Sequence, residues 1–311
     1  MMKTKRPFGI YLENFSKFNS LFSELDKRNL NYDKINFENF SYDPSESISH
    51  FSLVLIQINP IAYLAGNQNG KFLIHNYLHH LKRLGIPVIN GIPALQIETS
   101  NARQYTLLES LAMPYPTTRV ISDAMQLENA SLGIRFPIVI KSNINGADAV
   151  MIRFNNQADV IANKSLNLGI SNNGQTILLQ EYIPARGGVV HRVEIIKGKF
   201  LYAIKTFSNG KIESTNPDDE VINACEGIIN TAGLEVGSIE FIFDERDGML
   251  NYTGINAMSP YPANISTVIG FDPYVKLVDF LEEKAASTWF SNLAIKQKTF
   301  LSCMAEWDAT N

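Results

Sequence analysis

The sequence predicts an α/β protein of two or three lobes, on three observations. The chain has 311 residues, its first third alternates strand-like with helix-like apolar runs, and its last third reads as strand pairs joined by turns. Single domains usually run to roughly 100–200 residues, so one small core does not account for this length. Hydrophobic residues at 45% and charged residues at 19% belong to a compact globular chain and not to a disordered or fibrous one.

The same composition excludes several classes of partner. A net charge of -4, with Lys and Arg scattered along the chain, leaves no basic stripe for nucleic acid. No window approaches the roughly 18 consecutive apolar residues of a membrane span, and MMKTKRPF has no apolar run behind it to make a secretory signal. Cys225 and Cys303 stand far apart with no Cys/His cluster, so reduced thiols and a cytoplasmic location are expected. A homo-oligomer is left open.

The elements follow in order. A strand at Gly9 to Leu12 precedes a helix with Phe15, Phe18, Phe22 and Leu25 at helical spacing. The run LVLIQI from Leu53 to Ile58, a helix around Phe72 to Leu84 and a short strand at Pro87 to Asn90 extend the alternation, which implies a parallel sheet. No Gly-x-Gly-x-x-Gly follows the first strand, so this lobe reads as a Rossmann-like scaffold and not a dinucleotide site. His75 and His79 are four apart on the helix, but nothing completes a metal site there, and a solvated helix edge is the simpler reading.

From Ser100 a helix runs to Met113 and is closed by Pro114 and Pro116. Strands at Thr118 to Ile121, Phe136 to Lys141 and Ala149 to Phe154, with a helix near Gln157 to Ser165, form a small α/β unit. The last lobe opens with Ile177 to Glu181. It continues through strands at Val189 to Ile196 and Phe200 to Lys205, joined by a Lys197-Gly198 turn. A helix near Glu220 to Ala232 and a hairpin of Gly237 to Phe243 with Met249 to Asn256 complete it.

Three places can carry chemistry. Lys141 ends FPIVIK and is followed by the polar loop Ser142, Asn143, Ile144, Asn145, Gly146 and Ala147, where a point charge and backbone N–H groups suit phosphates. ILLQEYIP ends in Gln180, Glu181, Tyr182 and Ile183, whose main-chain groups suit an adenine edge. Arg192 and Lys205, placed in strands, require anions. In the last hairpin, period-two alternation puts Ser238, Glu240 and Ile242 on one face, and Tyr252, Gly254 and Asn256 on one face of the return strand. If the faces coincide, Glu240 and Asn256 approach, and magnesium needs only one or two carboxylates beside phosphate oxygens.

As an ordered set, SNARQYTLLESLAMPYPTT, FPIVIK, ILLQEYIP, HRVEIIKGKFLYAIK and GLEVGSIEFIFD with GIN resemble the ATP-grasp domains of RimK-like and glutathione-synthetase-like ligases over residues 95–285. The resemblance implies an ATP-grasp fold, with two lobes sandwiching the nucleotide after a Rossmann-like pre-ATP-grasp domain. Its divisions fall at 1–95, 96–180 and 181–290, with a helical tail at 291–311. It implies ATP and Mg2+ as cofactors and a ligase joining a small-molecule carboxylate to an amine through an acyl phosphate. Lys141 would hold phosphates, Gln180 to Ile183 would take adenine, Glu240 and Asn256 would ligate magnesium, and Asn143 to Ala147 would close over the triphosphate. Arg192 and Lys205 would face the phosphates or the acyl intermediate.

Three positions depart from that pattern. Asn101 stands where family members commonly carry lysine, Val190 replaces an acid two before the arginine, and Gly254 replaces the acid two before Asn256. Glycine cannot bridge metals. These positions favour an alternative in which the chain binds ATP or ADP without ligation.

Overall fold

The computed structural model describes residues 6–12, 15–36, 40–57, 68–143, 152–163, 176–257 and 260–287. Gly146, Cys303 and the tail at 291–311 lie outside them. Three sheets organise the rest.

The first sheet contains β1 (Phe8–Leu12), β2 (Tyr32–Asn36), β3 (Leu53–Gln57) and β4 (Val88–Ile89), parallel throughout in the order β2-β1-β3-β4. Ile10, Leu12, Leu53 and Leu55 pack with Phe18, Leu21, Phe22 and Leu25 of the first helical segment. Tyr11, Val54 and Ile56 pack with Ile74, Tyr77, Leu78 and Leu81 of the helix Gln68–Arg83. Both faces are therefore covered, which is why these strands read as unbroken apolar runs. The edge strand β2, YDKIN, lacks such a run and leaves no clear signal in the sequence.

The second sheet is antiparallel, with β5 (Thr118–Ile121), β6 (Ile138–Ser142), β7 (Ile152–Phe154) and β8 (Ile177–Glu181) in the order β5-β8-β6-β7. Ile138, Ile140, Phe154, Ile177 and Leu179 pack with Leu127 and Val160 from two short helices. Alternation along the strands leaves Val139, Lys141, Arg153, Leu178 and Gln180 on the opposite face.

The third sheet is also antiparallel. It contains β9 (Val189–Ile196), β10 (Lys199–Phe207), β11 (Ile212–Thr215), β12 (Val236–Phe243) and β13 (Leu250–Asn256) in the order β11-β10-β9-β12-β13. Lys197 and Gly198 both have positive φ, 57° and 67°, as the predicted two-residue hairpin turn requires. Val193, Ile195, Ala203, Ile239, Phe241 and Ile255 bury one face with Cys225, Ile228 and Ile229 of the helix Asp219–Thr231. The other face is apolar only at one end, where Ile196, Tyr202, Ile204 and Val236 meet Phe18, Leu277 and Leu281.

Two polar clasps join the sheets. Asn90, 2% exposed and with a φ of 54°, donates to the carbonyls of Val236 and Ala257 and accepts from the N–H groups of Glu235 and Val236. One amide thus satisfies four backbone groups at the base of the third sheet. The second clasp is the helix Asn101–Ser110. Asn143 holds its start by accepting from the N–H of Asn101 at 2.7 Å through its carbonyl and from that of Ala102 at 2.8 Å through Oδ1. Further along, Gln104 accepts from the N–H of Ile255 at 3.0 Å. Together with Pro114, which accepts from the N–H of Tyr252, and Glu98, which accepts from that of Ala257, this covers the outer edge of β13.

Candidate functional site

The site is built where the face of the second sheet that carries Lys141 and Gln180 meets the polar end of the third. Lys141 lies opposite Leu178, and three residues back along β6, roughly 10 Å, Ile138 lies opposite Glu181. Lys141 Nζ donates to Tyr105 Oη at 2.8 Å, and that hydroxyl is 3.5 Å from the carbonyl oxygen of Thr253. Two contacts therefore link the lysine to the strand that carries Gly254.

The segment Gln180 to Ile183 has fewer free main-chain groups than its sequence promises. Gln180 donates through Nε2 to Thr118 Oγ1 at 2.6 Å, the N–H of Glu181 bonds Thr117, and that of Tyr182 bonds Pro137. Among the described residues the Ile183 N–H has no partner, so it is the donor left for a ligand. The guanidinium of Arg153 lies 4.6 Å from the centre of the Tyr182 ring and forms a flat wall beside it. Glu181 turns away, accepting from Arg246 Nη2 at 2.6 Å.

Arg246 also donates to both carboxylate oxygens of Asp244, tying the Glu181 end of β8 to the tip of the last hairpin. These bonds hold Asp244 below the usual carboxylate range. A depressed folded value contributes stability above the unfolded value, about pH 4, and that stability is lost as pH falls through the folded one. Asp244→Asn should therefore cost about 1.5 kcal/mol in urea unfolding at pH 7. The gap to the wild type should shrink near pH 3.

On the third sheet, residues of neighbouring strands line up in two ranks. Gly254, Glu240, Arg192 and Ile204 form one; Asn256, Ser238, Glu194 and Tyr202 form the next. A side-chain carbon added at Gly254 would lie 3.4 Å from Glu240 Oε2 and 3.8 Å from Asn256 Nδ2, so the two side chains converge above this glycine. A half-turn of the Asn256 amide presents its oxygen. Two oxygen donors fit one magnesium that completes its shell with phosphate and water. Among the described residues no three His, Cys, Asp or Glu side chains gather, and His75 and His79 stand exposed with ring centroids 4.8 Å apart.

Three expectations require correction. Tyr252 does not share the face of Gly254 and Asn256. A bulge puts Phe241 opposite Tyr252 and Glu240 opposite Gly254, and Tyr252 joins the core. Lys205 does not join Arg192. A second bulge, between Phe200 and Tyr202, sets Ile204 opposite Arg192 and Lys205 opposite His191, so the two cations project from opposite faces. Asn143 has its amide engaged by Ser100, Ala102 and Thr176, and is a fastening of the helix start, not a free phosphate contact.

Sequence reasoning missed Glu194. It lies two residues after Arg192 on the same face, with Oε1 2.5 Å from Arg192 Nη2. The contact is an ion pair by distance, while the groups are not aligned as a hydrogen bond. Burial raises the Glu194 carboxyl above the usual range, and the Arg192 charge opposes that rise. The signal was available: with Val190 replacing the expected acid, the strand alternation offered Glu194 as the arginine's partner.

No family model and no curated protein matches the chain. Solved structures do match. The ATP-grasp ligase PsnB, complexed with precursor peptide PsnA2 and AMPPNP, superposes with a TM-score of 0.68 at 15% identity, covering 92% of this chain and 99% of that one. PsnB with a phosphomimetic precursor variant, Mg and ADP gives 0.68 at 14%, over 91% and 99%. The RimK domain ATP-grasp protein of Sphaerobacter thermophilus gives 0.68 at 17%, over 88% and 98%. D-cycloserine synthetase DcsG gives 0.66 at 15%, over 89% and 99%. The fold of this chain is the ATP-grasp fold.

Proposed function

We propose that this chain, on its ATP-grasp fold, is an ATP- and Mg2+-dependent ligase that joins a carboxylate to an amine through an acyl phosphate. The observation that carries the reading is the convergence of Glu240 and Asn256 above Gly254, with Lys141 two contacts away through Tyr105. Neighbours of the same fold act as ligases, and the PsnB structures hold AMPPNP or Mg and ADP. Adenine would take the Ile183 N–H beside Tyr182, with Lys141 meeting the phosphates. Magnesium, held by Glu240 and Asn256, would neutralise charge on the phosphates during transfer.

The remaining work is positioning. Phosphoryl transfer asks a protein for alignment and charge neutralisation more than for a nucleophile, and no serine or cysteine is required. The carboxylate oxygen displaces ADP from the γ-phosphorus, the amine then attacks the acyl carbon, and phosphate leaves with its electron pair. Arg192, opposite Glu240 in register, would orient the acyl group. The lobes at 96–180 and 181–290 would close on the nucleotide between them.

A second reading rests on Gly254, which leaves the metal pair without a second carboxylate: the chain would bind ATP or ADP and not ligate. Release of ADP separates the two. The ligase reading expects magnesium-dependent ADP release that rises when pooled amino acids and small dicarboxylates are added. Saturable ATP binding with no ADP release under any pool would leave the binding-only reading.

A further inference from the structure

Beside Asn256 the third sheet encloses a cavity of about 10 Å3, room for one water-sized group. Its polar lining is Arg192, Glu194, Ser238, Asn256, Tyr261 and Tyr274, and Phe18, Val236 and Leu277 close its apolar side. Glu194, Ser238 and Tyr261 are 2%, 0% and 8% exposed. Among the described residues Arg192 Nε, Ser238 Oγ and Tyr261 Oη have no hydrogen-bond partner, and Glu194 Oε1 has only its unaligned contact with Arg192. Buried polar groups left unsatisfied are destabilising, so the lining is arranged for an occupant.

The lining also states what the occupant is. An anion would meet the Glu194 carboxylate, and a cation would meet the Arg192 guanidinium. A neutral group that both donates and accepts satisfies all four atoms: its N–H or O–H groups donate to Glu194 Oε1 and to the hydroxyl oxygens of Ser238 and Tyr261, and its lone pair accepts from the Arg192 Nε–H. Water and the nitrogen of ammonia or an unhindered amine are the members of that class that fit. Resting on the ligase reading, we infer that this cavity seats the attacking nitrogen of ammonia or a small primary amine, one rank from the Glu240 and Asn256 pair. The site selects the uncharged amine, the form that carries the nucleophilic lone pair. A bulky or branched amine has no room beside Ser238.

The test has two arms, and the first does not depend on turnover. At pH 8.5 and equal ionic strength, ammonium chloride or methylamine hydrochloride should raise the melting temperature of the wild type above its value in sodium chloride. Ser238→Val, which fills the cavity, should abolish that difference. Ser238→Ala and Glu194→Gln, which keep the volume, should reduce it and serve if the valine variant does not fold. In the second arm, with an acid that supports ADP release, Glu194→Gln should raise the amine KM by about tenfold or more, the loss of one charged hydrogen bond. Its ATP affinity should stay within about twofold. No ammonium-specific stabilisation of the wild type, or the same stabilisation in Ser238→Val, would assign the cavity to water and overturn the inference. Failure of ADP release with every acid would instead count against the ligase reading, with the first arm still standing.

Discussion

Gly254→Glu should tighten magnesium-dependent ATP binding by about tenfold, and Glu240→Gln should weaken it by about 100-fold or more. Among the described residues Glu240 is the one carboxylate facing the metal position, and a direct ligand is worth at least what outer contacts are worth, about 10- to 100-fold in metal affinity. At Gly254 the geometry accepts a side chain: its φ is not among the positive ones, and the nearest atoms to an added carbon are at ordinary contact distances of 3.4–3.8 Å. The new carboxylate would stand beside Glu240, so without metal the pair repels and Gly254→Glu should melt below the wild type. Magnesium should restore that loss by binding only the folded state. Calorimetry of ATP binding and melting curves across a magnesium titration check both variants. An absence of any magnesium-linked change in Gly254→Glu would contradict the placement of the metal above this residue.

Lys141→Ala should weaken ATP by about 10- to 150-fold while changing adenosine affinity little, because a charge-assisted contact contributes about 1.5–3 kcal/mol. In the free protein the ammonium rests on Tyr105 Oη, so Tyr105→Phe separates the two roles of that contact. The phenylalanine variant should retain ATP binding to within a few-fold if the lysine leaves the hydroxyl for phosphate. Equal losses of ATP and adenosine in Lys141→Ala would show that the lysine only supports the junction of the lobes.

Much of the architecture was legible because burial writes itself into periodicity. The two-sided burial of β1 and β3 gives continuous apolar runs, and Lys197-Gly198 marks the turn between β9 and β10. The face shared by Lys141 and Gln180 follows from period two once β6 and β8 are paired. What was not legible lies in register. Counted from the Lys197-Gly198 turn, an unbroken ladder would set Lys205 opposite Val190, on the face of Arg192; one extra residue at Leu201 moves it opposite His191 and turns it over. A similar extra residue at Thr253 sends Tyr252 into the core while leaving Glu240 beside Gly254 and Asn256. No residue type in either strand announces these bulges, since they are settled by packing against strands far away in sequence.

Glu194 was missed and Asn143 misread for a different reason. Each polar side chain is explained by a neighbour that only the fold supplies: Glu194 by Arg192 and the cavity, Asn143 by the start of the helix at Asn101. The arrival of Tyr261 at the cavity, from beyond the last strand, has no counterpart in local spacing at all.

The central claim is that a nucleotide lies between the second and third sheets, against the end of β8. Amide hydrogen exchange with and without MgATP tests it most directly, because among the described residues the Ile183 N–H has no partner and adenine would supply one. Residues 181–183 should exchange more slowly when MgATP is bound, with Ile183 showing the largest change. Saturating MgATP that leaves residues 181–183 unprotected, or protects only the first sheet, would contradict the account.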